Sequence, residues 1–318
     1  MSAAEVILNR DPLLEISDAK LIRFQSEAEW LSFKSGRVVG ASQSPVLFGQ
    51  GYYGSSAYKM YAESLGLIER EPMSDKRLRV GKLMEPVLRR LFSEETGYAN
   101  YEVGDNSIHQ SIQWPFMVAS LDGVCVTEDG VGVLELKNIS SFNRDEWTED
   151  SGPLKYQIQV QHQLAVTGLP FGYLFGLIGG QEPFVHRINR NDDFIFKALL
   201  PAVQRFVECL EKHIPPEIDG SEATAKAIKL LHPDDDGSEV ALDDRFIDFD
   251  RRLEELKDQE RTISGEKKVL ENEIKAAIGN ATFGLLPNGI KYSYKTTARD
   301  GYFVEPSKYR TLRRSKAR

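Results

Sequence analysis

Residues 120–140 read SLDGVCVTEDGVGVLELKNIS, and this stretch decides the fold. Two runs rich in Val, Leu and Cys flank Asp129-Gly130, a pair suited to a tight hairpin turn. The pattern predicts strands over 117–126 and 131–139, with a further strand over 107–111. Side chains alternate along a strand, so Glu135 and Lys137 share a face while Leu136 points into the core. A turn at Asp129-Gly130 brings Asp122 back toward Glu135, within a residue or two of register. Two carboxylates and one amine then meet at a single patch of sheet surface.

Upstream, residues 20–35 alternate polar and apolar at helical spacing, and a Gly-rich stretch from Gly36 to Gly54 reads as loop and turn. Helices follow over 55–66, capped by Ser55 or Ser56, and over 75–97, closed by Gly97. Downstream come a helix over 154–167 ending at Gly168 and strands over 173–178 and 184–188. A helix over 192–213 then stops before Pro215-Pro216. This order predicts an α/β (α+β) fold, one mixed central sheet with helices on both faces, for a first domain of residues 1–215. Residues 216–239 read as linker. Residues 240–318 form an extension: a long polar helix over 240–279, a hairpin around Pro287-Asn288-Gly289 and a basic tail. Phe246, Phe249, Leu253, Leu256, Ile263, Leu270, Ile274 and Ala277 follow alternating three- and four-residue steps along that helix, interrupted by Glu260 and Lys267. Such a stripe packs on its own domain or forms a coiled-coil or helical-hairpin surface.

Composition bounds the rest. The chain has 318 residues, 41% hydrophobic and 28% charged, which excludes disorder through most of its length. No run approaches the roughly 20 apolar residues of a membrane-spanning helix. The first residues lack the apolar core and cleavage site of a signal peptide, so a cytoplasmic protein is expected. With only Cys125 and Cys209, a disulfide framework, a four-cysteine zinc site and a four-cysteine iron–sulfur cluster are excluded. No P-loop, Rossmann fingerprint or Gly-x-Ser-x-Gly is present. The net charge of −8 is unevenly spread: residues 291–318 hold nine basic and two acidic side chains, a net +7 that leaves −15 elsewhere. The tail is either a solubilising terminus or a contact for an anionic partner.

The patch at Asp122, Glu135 and Lys137 suits phosphodiester hydrolysis. Two carboxylates and a backbone carbonyl are hard oxygen ligands for Mg²⁺ or Mn²⁺. Such an ion polarises the phosphate and acidifies a bound water, and Lys137 can orient that water. Glu-x-Lys on a strand is by itself a common solvated ion pair. Its neighbours add weight. Gly81-Lys82-Leu83-Met84-Glu85-Pro86 sets an acid mid-helix. The helix over 154–167 carries four glutamines, and Tyr156, Gln159 and Gln163 fall within about 60° of one another. These polar groups lie either near a phosphate at the sheet edge or on a partly exposed face. His162 reads as a core or supporting donor. His109, His186, His213 and His232 lack metal-ligand spacing, and Cys125 reads as a small buried hydrophobe.

An ordered set of motifs runs from Glu29-Trp30-Leu31 through Val39-Gly40-Ala41-Ser42 and Gly81-x3-Glu85-Pro86. Asp122, Glu135-x-Lys137 and Tyr156-x2-Gln159-Val160-Gln161 complete it. Over roughly residues 25–215 this set resembles the lambda-exonuclease-like, YqaJ-type viral recombinase nucleases of the PD-(D/E)XK superfamily. The resemblance implies a restriction-endonuclease-like fold and Mg²⁺-dependent digestion of linear duplex DNA. Digestion would run 5′ to 3′ and leave 3′ single strands for a phage-type annealing protein. A homo-oligomeric ring in the host cytoplasm is implied as well. By motif, Asp122, Glu135 and the Leu136 carbonyl would hold metal and Lys137 would position the nucleophile. Glu85 would sit beside the metal site, Tyr156 and Gln159 would complete the active site, and Ser42 would contact a phosphate. Leu121 replaces the usual Pro before the first Asp. Lys34, with Arg37 close by, stands where the family often has an Arg that meets a 5′-phosphate, and Lys lacks its bidentate fork. Two other activities suit the same residues: an endonuclease on this fold, or a non-catalytic DNA-end-binding module.

Overall fold

The hairpin forms where the sequence places it. Strands β6 (Gly123–Thr127) and β7 (Gly130–Ile139) pair antiparallel from Gly123↔Leu134 to Thr127↔Gly130, with Gly130 at φ 108°, a backbone region that only glycine enters readily. In this computed structural model, residues 11–34, 37–52, 54–70, 75–104, 106–148, 151–299, 301 and 310–315 are described. They belong to two compact units, Met1–His232 and Pro233–Arg318.

The first unit contains two mixed sheets flanked by helices. The fold class is the expected one; the single sheet is not. Where one strand over 117–126 is predicted, there are two, β5 (Met117–Ala119) and β6, parted by Ser120-Leu121-Asp122. β5 pairs with β4 (Ser107–Ser111) and, in parallel, with β2 (Val39–Gly40), while β1 (Ala19–Arg23) flanks β4. β6 joins a second sheet in the order β3 (Ala99–Tyr101), β6, β7, β8 (Phe171–Ile178), β9 (Glu182–Asn189). The break has a local cause. The Leu136 N–H, which a continuing antiparallel ladder would give to the opposite backbone, goes to Asp122 Oδ2 at 2.9 Å. The ladder ends at Asp122 and the chain changes sheets.

β7 and β8 run parallel, from Val133↔Gly172 to Ile139↔Ile178, so a crossover must join them. That crossover is α4 (Leu154–Thr167), which contacts β4 and β5 of one sheet and β7, β8 and β9 of the other. (Before it stand α1, Glu27–Lys34; α2, Ala57–Ser64; and α3, Asp75–Thr96.) Held against both sheets, α4 buries every residue from Ile158 to Thr167. Gln159, Gln161 and Gln163 therefore do not lie on a partly exposed face, and of the four glutamines Gln157 alone is half-buried. α3 packs on β7 and β8, where Phe92 meets Tyr173 and Phe175 at 5.6 and 5.8 Å between ring centroids.

Two further differences from the sequence reading have simple causes. The helix predicted from residue 20 begins at Glu27, because Ser26 Oγ accepts the Glu29 N–H (3.2 Å) and the Glu29 carboxylate accepts the Gln25 N–H (2.9 Å). That reciprocal cap fixes the helix start and leaves residues 19–23 to pair with β4. The segment 216–239, read as linker, contains α6 (Glu222–Leu231), which follows α5 (Leu200–Lys212). Ser221 caps α6, Ala227 packs with Ala62 and Ile68, and Thr224 Oγ1 donates to Ser56 Oγ at 2.8 Å. The boundary after the first unit thus falls at His232 rather than at residue 215.

The second unit holds α7 (Arg245–Ile278) and a hairpin of β10 (Phe283–Leu285) with β11 (Lys291–Ser293), near the predicted positions. Arg314 of the basic tail makes a two-pronged pair with Asp250, at 2.6 and 3.0 Å. Among the described residues no helix is long and apolar enough to cross a membrane.

Candidate active site

The register Gly123↔Leu134 carries Asp122 level with Glu135, at the point where the two sheets part. Glu135 is 1% exposed, and both carboxylate oxygens are occupied. Oε1 accepts from Lys137 Nζ and from Gln159 Nε2 (2.7 Å); Oε2 accepts from Gln163 Nε2 (2.5 Å). One ammonium and two amides thus fix the carboxylate of a side chain that would be costly to bury unpaired.

Asp122 is held differently. Beyond the Leu136 N–H, Arg89 Nη1 donates to its backbone carbonyl. Arg89 also pairs with Glu85 (3.8 Å) and Glu102 (3.4 Å), so α3 is tied to the switch between sheets. Burial, then the neighbouring Glu135 charge, pushes the Asp122 carboxyl up to about 7; Lys137 and the Leu136 N–H pull the other way, and Glu85 adds to the rise. Lys137 is pushed up as well. Burial alone would lower it, but Glu135, the Tyr52 phenol and Asp122 together outweigh that. The ammonium therefore stays charged at neutral pH and is a hydrogen-bond donor, not a base.

Aromatic rings wall the amine. Lys137 Nζ lies 5.2 Å from the centroid of Tyr156, whose ring meets Trp147 at 5.5 Å and Tyr52 at 6.2 Å. Burial raises the Tyr156 phenol above its usual range. His162 is fully buried and burial pushes it down to about 3, so it is a neutral core residue.

The structure thus brings together Asp122, Glu135, Lys137, Tyr156 and Gln159, with Glu85 close enough to act on the charge of Asp122. Leu136 contributes its backbone here; its side chain is buried with Leu88 and Phe92 on the opposite face of the sheet, as alternation requires. Ser42 and Arg37 are exposed, and no described contact joins them to the carboxylates. Lys34 ends α1, and its side chain lies outside the described residues.

Two participants, Arg89 and Tyr52, escaped the sequence reading of the site, and Gln163 was grouped with Tyr156 and Gln159 without a role of its own. Gln163 has the plainest signal, one helical turn beyond Gln159 and on its arc. Arg89 stands at i+4 from Glu85.

The donor set fits a hard divalent cation. Among the described residues no cluster of three or more His, Cys, Asp or Glu side chains gathers to cage a metal. Mg²⁺ ordinarily takes one or two carboxylates and completes its shell with water and substrate phosphate, so a carboxylate pair is a suitable half-site. The Asp122 carboxyl is raised first by burial and then by the Glu135 charge, and a cation between the two carboxylates would offset both.

Residues 29–170 match the family model of the YqaJ-like viral recombinase domain. The span contains every candidate residue above. The uncharacterized protein YqaJ of Bacillus subtilis strain 168 is 24% identical over 267 residues, 83% of this chain and 82% of that protein. That length exceeds the 232 residues of the first unit, so the similarity to YqaJ runs beyond the recombinase domain into the C-terminal unit. A crystal structure of an alkaline exonuclease from Laribacter hongkongensis is similar with a TM-score of 0.47 at 23% identity, covering 59% of this chain and 94% of that one. A structure of the same exonuclease in complex with dAMP gives the same figures.

Proposed function

We propose that the protein is a metal-dependent deoxyribonuclease that digests linear double-stranded DNA from its ends. The observation that carries this reading is the convergence of Asp122, Glu135 and Lys137 at the parting of the sheets, with the Glu135 carboxylate buried and held on both oxygens. A buried carboxylate so heavily supported is costly, and a solvated ion pair needs none of that support. Asp122, Glu135 and the Leu136 carbonyl would hold Mg²⁺, or Mn²⁺ in its place. When bound, the ion supplies Lewis acidity toward the scissile phosphate and acidifies a water. Lys137, permanently charged, donates to the attacking water and offsets negative charge on the phosphoryl oxygens. Tyr156 and Gln159 hold Lys137 and Glu135 in place for that task.

The recombinase family of the domain supports a role in recombination. On this reading the product is a 3′ single strand made by 5′ to 3′ digestion, taken up by a single-strand annealing protein. Lys34, Arg37 and Ser42 would meet the phosphates of the DNA end, and subunits would assemble around the duplex. The test is digestion of end-labelled linear duplex, with and without a 5′-phosphate, in Mg²⁺ or Mn²⁺, beside closed circular DNA. Loss of label from linear DNA alone, abolished by Glu135→Ala with DNA binding retained, is expected. Cutting of closed circles would make it an endonuclease. Intact linear DNA across a range of salt would leave only end binding.

A further inference from the structure

The second unit presents a surface that the proposed chemistry does not use. α7 spans 34 residues, about 51 Å of helix at 1.5 Å per residue, and none of its residues is buried. Its apolar side chains are not scattered. From Phe246 to Ala277 ten positions follow strict alternating steps of three and four, the heptad spacing of a coiled-coil seam. Eight are apolar, and Phe249, Leu253, Leu256, Ile263 and Leu270 are all exposed, from 44% to 65%. The two charged positions, Glu260 and Lys267, lie one heptad apart on the same groove as Leu256 and Ile263. Gly265, a weak point for a helix, falls on the outer side of this seam, where no packing depends on it.

The charges select both the partner and its direction. In a parallel, in-register pair of identical helices Glu260 would meet Glu260 and Lys267 would meet Lys267. The flanking positions would add Arg252 against Lys257 and Glu266 against Glu271. Every one of these is a like-charge contact, against a single attraction between Arg245 and Asp250. In an antiparallel pair core layers set each first-type position against the partner's second-type position. One register then uses all ten: Phe249 opposite Ile274, Leu253 opposite Leu270, Leu256 opposite Lys267. There Glu260 lies one layer from Lys267 of the other helix, twice by symmetry, and Arg252 faces Glu273. The one repulsion, Asp250 toward Glu271, is relieved within the chain by the Arg314–Asp250 pair.

We propose that α7 is the seam of an antiparallel coiled coil with α7 of a second copy of this chain, in the register that places Glu260 beside Lys267 of the second copy. A two-fold axis near residues 261–262 relates the copies, so each contact occurs twice.

The experiment is sedimentation equilibrium on the full chain and three variants, with melting curves to confirm folding. Glu260→Lys and Lys267→Glu should each weaken self-association by about tenfold or more, since each sets like charges together. The double variant, Glu260→Lys with Lys267→Glu, should restore it. Oxidative cross-linking supplies a second readout. A chain carrying both Leu253→Cys and Leu270→Cys should form covalent dimers that neither single variant forms. Unchanged mass in both charge variants, a double variant as dissociated as the singles, or cross-linking by Leu253→Cys alone would each overturn the proposal. A wild-type chain that stays monomeric at every concentration would do the same.

Discussion

Gln163→Leu isolates one of the three supports of the Glu135 carboxylate. The side chain is fully buried, its amide donates to Glu135 Oε2 at 2.5 Å, and Gln159 and Lys137 serve the other oxygen. Leucine is close to glutamine in volume, so little cavity is left and the change is the loss of a donor to a buried charge. Hydrogen bonds to charged groups contribute about 1.5–3 kcal/mol, and an oxygen left unsatisfied in the interior adds to the cost. For a unit of 232 residues that amounts to a fall in melting temperature of about 3–12 °C. Thermal unfolding of wild type, Gln163→Leu, Glu135→Leu and the double variant forms a cycle that separates the Gln163–Glu135 interaction from all else. The coupling should lie in the same 1.5–3 kcal/mol range. DNA digestion should fall in Gln163→Leu as well, because one carboxylate oxygen is freed to rotate. A coupling near zero, or a melting temperature within a degree of wild type, would show that Gln163 does not hold Glu135.

Other consequences can be measured on the same protein. The Asp122 carboxyl titrates at 3.8 in a free chain and about 7 in the fold, so between those values the folded state holds a proton the unfolded state has lost. Its contribution is present below the lower value and is lost as pH rises through the upper one. His109 and His162, pushed down by burial to about 4 and 3, tilt the other way. The quantity to read is therefore the melting temperature of wild type minus that of Asp122→Asn, without metal. It should fall from pH 5 to pH 8, and a flat difference would refute the shift. Gly132→Ala should destabilise by about 1–3 kcal/mol, since a Cβ there meets the ring of Phe171, which Arg187 covers at 4.3 Å. Denaturant unfolding with an unchanged midpoint would contradict that packing. Arg89→Met should lower digestion more than stability, because Arg89 steadies the Asp122 backbone from α3. Equal melting with equal rates would remove it from the site.

How much of this was legible in the sequence depended on how local the cause was. The hairpin, the crossover helix and the long C-terminal helix lie within a few residues of their predicted bounds, because turn residues, caps and periodicity act over a handful of positions. Asp122, Glu135 and Lys137 were legible for the same reason: one turn and the two-residue period of a strand place them together. What could not be read depended on distant chain. Nothing near residue 120 announces that the strand stops, since the Leu136 N–H that ends it comes from fourteen residues on. The burial of Gln159 and Gln163 follows from a second sheet lying against α4, and their spacing on the helix says nothing of that sheet. Helix α6 looked like linker because its buried residues, Ala223, Thr224 and Ala227, are small or polar and leave little apolar periodicity.

The break at Asp122 also explains how one site can combine a fixed carboxylate with a responsive one. Had the strand continued, Asp122 would be one more side chain on a ladder, its backbone held by β7. Instead its backbone is released at the parting of the sheets and its side chain takes over a ladder hydrogen bond. The two carboxylates thus differ in kind. Glu135 is locked in the middle of a sheet by three donors, while Asp122 depends on one N–H, on Arg89 and on the charge beside it. A cation arriving between them would meet one preorganised ligand and one whose proton it can displace. Asp122→Asn should therefore weaken Mg²⁺ binding, read by calorimetry, and should remove the proton released on binding at pH 7, which two buffers of different ionisation enthalpy reveal. Proton release that persists in Asp122→Asn would place the titrating carboxyl elsewhere.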